Sequence, residues 1–174
     1  MKRISATVSS SGESDGGVST TELDSHANMV VVGHQAHVFS HNNQFVNVQA
    51  FADEVKGLRD IPVDHAVIGY DCPYSGETYI LVVKNALCVP SMSHNLVPPF
   101  ILREAGLEVN DKPKIHCEDP SVEDHSLFDE ESGLRIPFTL DGTFTVFPTC
   151  ALTDKEIEQA EAYSTVYLTP DLHK

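Results

Sequence analysis

The residues of this chain best suited to chemistry lie in the stretch Glu22-Leu23-Asp24-Ser25-His26-Ala27. An acid here follows a short run ending in an apolar residue, and small or polar residues separate it from the apolar run Met29-Val30-Val31-Val32. That order predicts a carboxylate on a tight turn between two strands. Such a carboxylate can cap its own turn by accepting backbone amides, the commoner use of an Asp-Ser pair. Paired with a second carboxylate, it can instead activate a water molecule.

Two other sets of residues invite chemistry. His26, His34, His37 and His41 fall within sixteen residues, and His34-x-x-His37 has a spacing that metal ligands use. Neither a His-Glu-x-x-His phrase nor a cysteine pair accompanies them, so surface histidines near turns are the simpler reading and no metal is expected. The four cysteines, Cys72, Cys88, Cys117 and Cys150, are far apart and read as free thiols of a reducing compartment. Only Cys72, in a hairpin tip, is expected to be exposed, and it sits in no nucleophile turn. No Gly-rich loop precedes a helix with a phosphate-binding lysine, so no nucleotide cofactor is expected, and none of another kind.

The elements that must position Asp24 are short and β-like. Residues 1–20 are rich in Ser, Gly and small polar residues and read as a flexible leader. Gln44 to Phe51 alternates as a strand. Val63 to Tyr70 and Glu77 to Val83 flank turn residues around Asp71-Cys72-Pro73-Tyr74-Ser75-Gly76, which predicts a hairpin with a long tip. Ala86 to Val89 continues as a strand. Phe100 to Gly106, behind Pro98-Pro99, reads as a short helix ended by glycine. Asp141-Gly142 is a hairpin signal between Leu134–Leu140 and Thr143–Phe147. Thr153 can cap a surface helix running to Ala162, so residues 151–174 read as an acidic helical tail or linker. The expected domain, residues 21–150, is therefore mostly β, a small closed or partly open antiparallel barrel with one or two short helices.

Charge narrows the partners. With 26 acidic against 11 basic residues, the net charge of −15 repels phosphate backbones and anionic lipid, so no direct nucleic-acid binding is expected. No apolar window is long enough to span a membrane, and the basic Met1-Lys2-Arg3 is not followed by a signal-peptide core. An intracellular, cytoplasmic location is the expectation.

Taken in order, the motifs resemble the retropepsin-like aspartic proteases of copia-type retrotransposon polyproteins. That family has an Asp-Ser-Gly-Ala signature after a short strand, then a flap hairpin. A Leu-x-Val-Pro phrase follows, and an Asn-Leu step leads into a short helix closed by glycine. The corresponding residues are Asp24-Ser25-His26-Ala27, the Val63–Val83 hairpin, Leu87-Cys88-Val89-Pro90, His94-Asn95-Leu96-Val97 and Phe100 to Gly106. The likeness covers Thr21 to Val109 in sequence order and is weaker through Pro148. The family's glycine is His26 here, whose side chain must point away from the paired carboxylates.

The resemblance implies a homodimeric endopeptidase with Asp24 as the catalytic residue of each copy, acting on an extended polypeptide within a polyprotein, in the cytoplasm or virus-like particles. Two carboxylates meeting at a two-fold axis cannot both ionise cheaply and share a proton. By the same likeness Ser25 orients the carboxylate, and Asn95 and Leu96 lie structurally beneath the loop. Tyr70, Asp71, Tyr74 and Gly76 would belong to the flap and contact substrate. The alternatives are a catalytically inert dimerisation or peptide-binding module on the same fold, favoured by His26, and a metal-dependent hydrolase built on the histidines.

Overall fold

A computed structural model describes residues 18–48 and 57–170. Residues 1–17 of the expected leader, residues 49–51 of the expected strand from Gln44, and the tail's last residues 171–174 lie outside the described residues.

The chain is mostly β with two short helices. Its strands are β1 (Val18–Leu23), β2 (Val31–Val32), β3 (His37–Val48), β4 (Leu58–Asp71), β5 (Thr78–Cys88) and β6 (Asn95–Val97), followed by helix α1 (Pro99–Glu104). Then come β7 (Glu108–Asp111), β8 (His125–Asp129), β9 (Leu134–Pro137), β10 (Thr139–Asp141), β11 (Phe144–Cys150), helix α2 (Asp154–Glu158) and β12 (Ser164–Tyr167). Nine strands form one sheet in the order β10-β11-β1-β6-β2-β5-β4-β3, with β12 alongside β5. A single bridge between Cys150 and Gly69 joins β11 back to β4 and makes the sheet a ring.

The sheet is mostly antiparallel but also holds parallel pairs. Strands β1 and β2 are joined by the Asp24 loop, and β6 is inserted between them. It runs parallel to β1, with Thr21 opposite Asn95, and antiparallel to β2, with Val31 opposite Leu96. β2 and β5 are also parallel, as are β12 and β5.

Alternation explains β1: Ser19, Thr21 and Leu23 are buried, whereas Val18, Thr20 and Glu22 face outward. Residues 18–20, read from the sequence as leader, thus belong to the strand. β5 is different, with Tyr79 to Val83 all buried, as befits a strand covered on both faces. The second cover comes from the chain's end. Leu152, Ile157, Ala160 and Tyr163 pack on Ile80 and Val82, and Val166 and Leu168 enter the main core. The expected acidic tail therefore contains α2, whose Thr153 and Glu156 form a reciprocal capping box, and then returns as a strand beside β5 that buries Val166. The small sheet β7-β8-β9 joins the same core through Val109, Leu127, Leu134 and Ile136.

Leu168→Ala should cost about 2–5 kcal/mol, the range for truncating a fully buried leucine. Urea unfolding would check this. A midpoint equal to that of the parent chain would mean that the segment is only a linker.

Helix α1 starts as its sequence suggests, with Pro99 in the first turn, and Leu102 is buried beneath it. Gly106, at φ +93°, turns the chain out in a conformation that side chains disfavour. The β10–β11 hairpin also forms, with Asp141 opposite Phe144 and Gly142 at φ +61°. The segment Leu134–Leu140 splits at Phe138, however, with β9 in the small sheet and β10 in the large one.

Candidate active site

Asp24 follows β1 on the expected tight turn. Its backbone N–H donates to the carbonyl of Val97 at the end of β6 (3.1 Å), and the Ala27 N–H closes the turn on the Asp24 carbonyl (3.3 Å). Asp24 Oδ1 accepts the backbone N–H of His26 at 2.9 Å, so half of the carboxylate caps its own loop. The other oxygen, Oδ2, is buried without a hydrogen-bond partner. Asp24 as a whole is only 8% exposed. A buried carboxylate oxygen left unpaired is costly, and among the described residues the Gln35 side-chain oxygen is the other buried atom in that state.

Ser25 and His26 are exposed and Ala27 is buried. The bond that holds the carboxylate comes from the His26 amide rather than from the Ser25 hydroxyl. His26 is not among the residues at positive φ. The loop thus needs no glycine at that position, and the imidazole points outward.

A buried polar chain lies beneath the loop. Asn95 Oδ1 accepts the Gly33 N–H at 2.9 Å, and its Nδ2 donates to Thr21 Oγ1 at 3.1 Å. Thr21 Oγ1 meets Thr149 Oγ1 at 2.9 Å, and Thr149 Oγ1 meets Ser19 Oγ at 3.1 Å. These bonds tie β1, β6, β11 and the residue after β2 into one junction. Leu96 is buried beside it against Val31. Asn95 and Leu96 thus take structural positions under the loop. Thr149 and Ser19 could not be read in advance, since nothing local marks a threonine as the partner of a strand more than a hundred residues away.

The expected flap is placed elsewhere, and this is the main correction to the site. The β4–β5 hairpin exists, but its tip lies at the opposite end of the sheet. Gly69 pairs with Cys150, and Cys150 pairs with Val18 at the start of β1. From Val18 to Asp24 the strand travels about 20 Å at ~3.3 Å per residue. Tyr70 is core, 1% exposed, and burial pushes its phenol up to about 12. Asp71 accepts the Thr78 hydroxyl, Tyr74 points to solvent, and Gly76 supplies a φ of +73° to the turn. Cys72, expected to be exposed, is buried. The hairpin that does approach the Asp24 loop is β3–β4: Val46, Val48, Leu58 and Ile61 cluster with Met29, just beyond the loop. Sequence alternation cannot tell which of two successive hairpins folds toward the loop.

The histidines disperse. His34 Nδ1 lies 2.9 Å from the Met92 carbonyl, and His41 Nδ1 lies 3.2 Å from Asp64. Among the described residues no group of three or more His, Cys, Asp or Glu is placed to hold a metal ion. All four cysteines are free.

A cavity of about 240 Å³ opens beside Asp24, walled by Ser25, Pro99 and Asp111 and, from the β10–β11 turn, by Thr143, Phe144 and Thr145. Behind that turn the buried His125 places Nε2 3.3 Å from Thr145 Oγ1 and its ring edge-on to Phe138. Burial holds the His125 imidazole below its ordinary value of 6.5, and does the same to His94. The unfolded chain therefore binds protons near pH 6.5 that the folded chain refuses. Stability is full above that pH and falls as pH drops below it toward the depressed value. Melting curves at pH 7.5 and pH 5.5 should show a drop in Tm, and His125→Gln should make that drop smaller. An equal drop in the variant would remove His125 as a cause.

No protein-family model matches the chain, and neither a curated protein nor a solved structure matches it. Among the described residues no helix is long and apolar enough to cross a membrane.

Proposed function

We propose that the chain is an aspartic endopeptidase of the retropepsin type, active as a homodimer in which two copies of Asp24 face each other, and that it cleaves an extended polypeptide of a copia-type polyprotein. The observation that carries this reading is the Asp24 carboxylate: one oxygen fixes the turn and the other is buried with no partner. A second carboxylate sharing a proton with it is the chemistry that such an oxygen fits best. The setting supports it as well, since the loop joins two strands with a third inserted between them and is pinned from below by Asn95.

In the dimer the ionised Asp24 removes a proton from a water molecule, whose oxygen attacks the scissile carbonyl carbon. The protonated Asp24 of the other copy donates to the carbonyl oxygen. The resulting diol collapses as the C–N bond breaks, the nitrogen takes up a proton, and an acid and an amine are released.

A homodimer of chains carrying −15 each must overcome self-repulsion. Sedimentation should show the dimer fraction rising between about 0.05 and 0.5 M salt, where the screening length falls below ~10 Å. Association that weakens with salt would contradict this arrangement.

The inert binding module is the second reading, favoured because the carboxylate is so little exposed in the single chain. Cleavage of the chain's own polyprotein context, compared between the parent and Asp24→Asn across mildly acidic pH, decides between them. Processing by the parent alone supports the protease. A folded dimer inert at every pH supports the module.

A further inference from the structure

We infer that the outer edge of β3 is an interaction surface for a second copy of this chain, which pairs with it strand to strand. This goes beyond the protease reading and does not depend on it.

The place of β3 in the sheet makes the edge available. It ends the strand order, and among the described residues β4 is its sole strand partner. At 12 residues it is about twice as long as an ordinary strand. The strand at the other end of the sheet, β10, has 3 residues and ends in Asp141, which leaves a second copy little to pair with. The cavity beside Asp24 has no β3 residue in its lining, so the two surfaces are separate.

The side chains leave the edge open to pairing. Proteins normally blunt an exposed edge with lysines, other charges or proline. β3 has none of these, and no Asp, Glu, Lys or Arg stands anywhere between Asp24 and Asp53. Alternation instead exposes His37, Phe39 and His41 and, farther along, Asn43, Phe45 and Asn47. Phe39 is 50% and Phe45 64% exposed, two large apolar surfaces on one strand. β3 does bend, with register shifts between Val38 and Ser40, His41 and Gln44, and Val46 and Val48, so the edge pairs in short segments. Its middle is held in place. One Asp64 oxygen accepts the Asn42 N–H at 3.1 Å, and the other lies 3.2 Å from His41 Nδ1. An edge held in this way loses less freedom on pairing.

Charge selects the occupant. Each copy carries −15, so contact between copies costs least where neither brings a carboxylate to it. In the part of β4 that pairs with β3 the exposed charges are Arg59 and Asp60, one of each sign, and Asp64 is buried. Antiparallel pairing about Asn42 sets Phe39 of one copy opposite Phe45 of the other, twice per pair, an aromatic contact that supports strand pairing. One strand pair is small beside the ~1,600 Å² of a standard interface, so the association is reversible and concentration-dependent.

The test is sedimentation velocity of the full chain against Phe45→Lys, Phe39→Lys and, as a control at the far hairpin tip, Tyr74→Lys, each at low and high protein concentration. Lysine is the residue that blunts natural edges, and all three side chains are at least half exposed, so the variants should fold like the parent. At high concentration the parent and Tyr74→Lys should reach about twice the mass of Phe45→Lys and Phe39→Lys, as a two-fold pairing requires. A dimer made through Asp24 would persist in Phe45→Lys, so the mass that this variant loses belongs to β3. Amide exchange of the parent should slow along β3 as concentration rises, a reading that needs no variant. Equal masses for the parent and Phe45→Lys, or β3 amides that exchange alike at both concentrations, overturn the pairing and leave the protease reading standing.

Discussion

Asp24→Asn should lower kcat/KM for peptide hydrolysis by at least about 10³-fold while leaving the fold intact. In the proposed dimer Asp24 would serve as base in one protomer and acid in the other, and each role contributes roughly 10²–10⁴-fold. Asparagine removes both at once. It also retains a carbonyl oxygen that can accept the His26 amide now bound by Oδ1, so the turn keeps its cap. Oδ2 has no hydrogen bond to lose. The variant should therefore melt at the same temperature as the parent or slightly higher. A fall in activity accompanied by loss of folded protein would assign Asp24 a structural role instead. Undiminished cleavage would show that the chemistry belongs to other residues.

The second large effect is on stability. Asn95→Ala should cost about 2–4 kcal/mol, a large share of the 5–15 kcal/mol that holds a domain folded. Asn95 is 1% exposed and spends both ends of its amide, one on the Gly33 N–H and one on the Thr21 hydroxyl. Alanine leaves the Gly33 N–H without a partner, at about 1–3 kcal/mol, and takes one bond from the Thr21 hydroxyl, which keeps Thr149, at about 1 kcal/mol. Relaxation is blocked on the Gly33 side. A Cβ there would sit 2.5 Å from the Met92 carbonyl oxygen and 2.9 Å from that of His94, so this backbone is already in close contact. Denaturant titration of Asn95→Ala measures the cost, and a loss below about 1 kcal/mol would mean that water replaces the amide.

The acid sensitivity expected from His125 and His94 bears on the first of these effects. The proposed carboxylate pair would work in mildly acidic solution, where the buried His125 and the half-buried His94 begin to destabilise the fold. Activity should therefore fall on the acid side partly through unfolding. The pH at which Tm drops separates that loss from titration of the pair.

Much of this molecule was legible without coordinates wherever the governing chemistry is local. The turn at Asp24, the Pro99 start and Gly106 end of α1, the Thr153 cap and the β4–β5 and β10–β11 hairpins each depend on a few consecutive residues. Their dihedral preferences and short-range hydrogen bonds are written in those residues' types. What only the tertiary structure decided is which strand lies beside which. Val18 opposite Cys150, Asn95 between Thr21 and Gly33, β12 against β5 and the β3–β4 hairpin near the Asp24 loop all join distant residues. Apolar strands are interchangeable partners as far as their own pattern shows, and only packing the whole core at once selects among them. The carboxylate was therefore found from the sequence, whereas the walls around it were set by the fold.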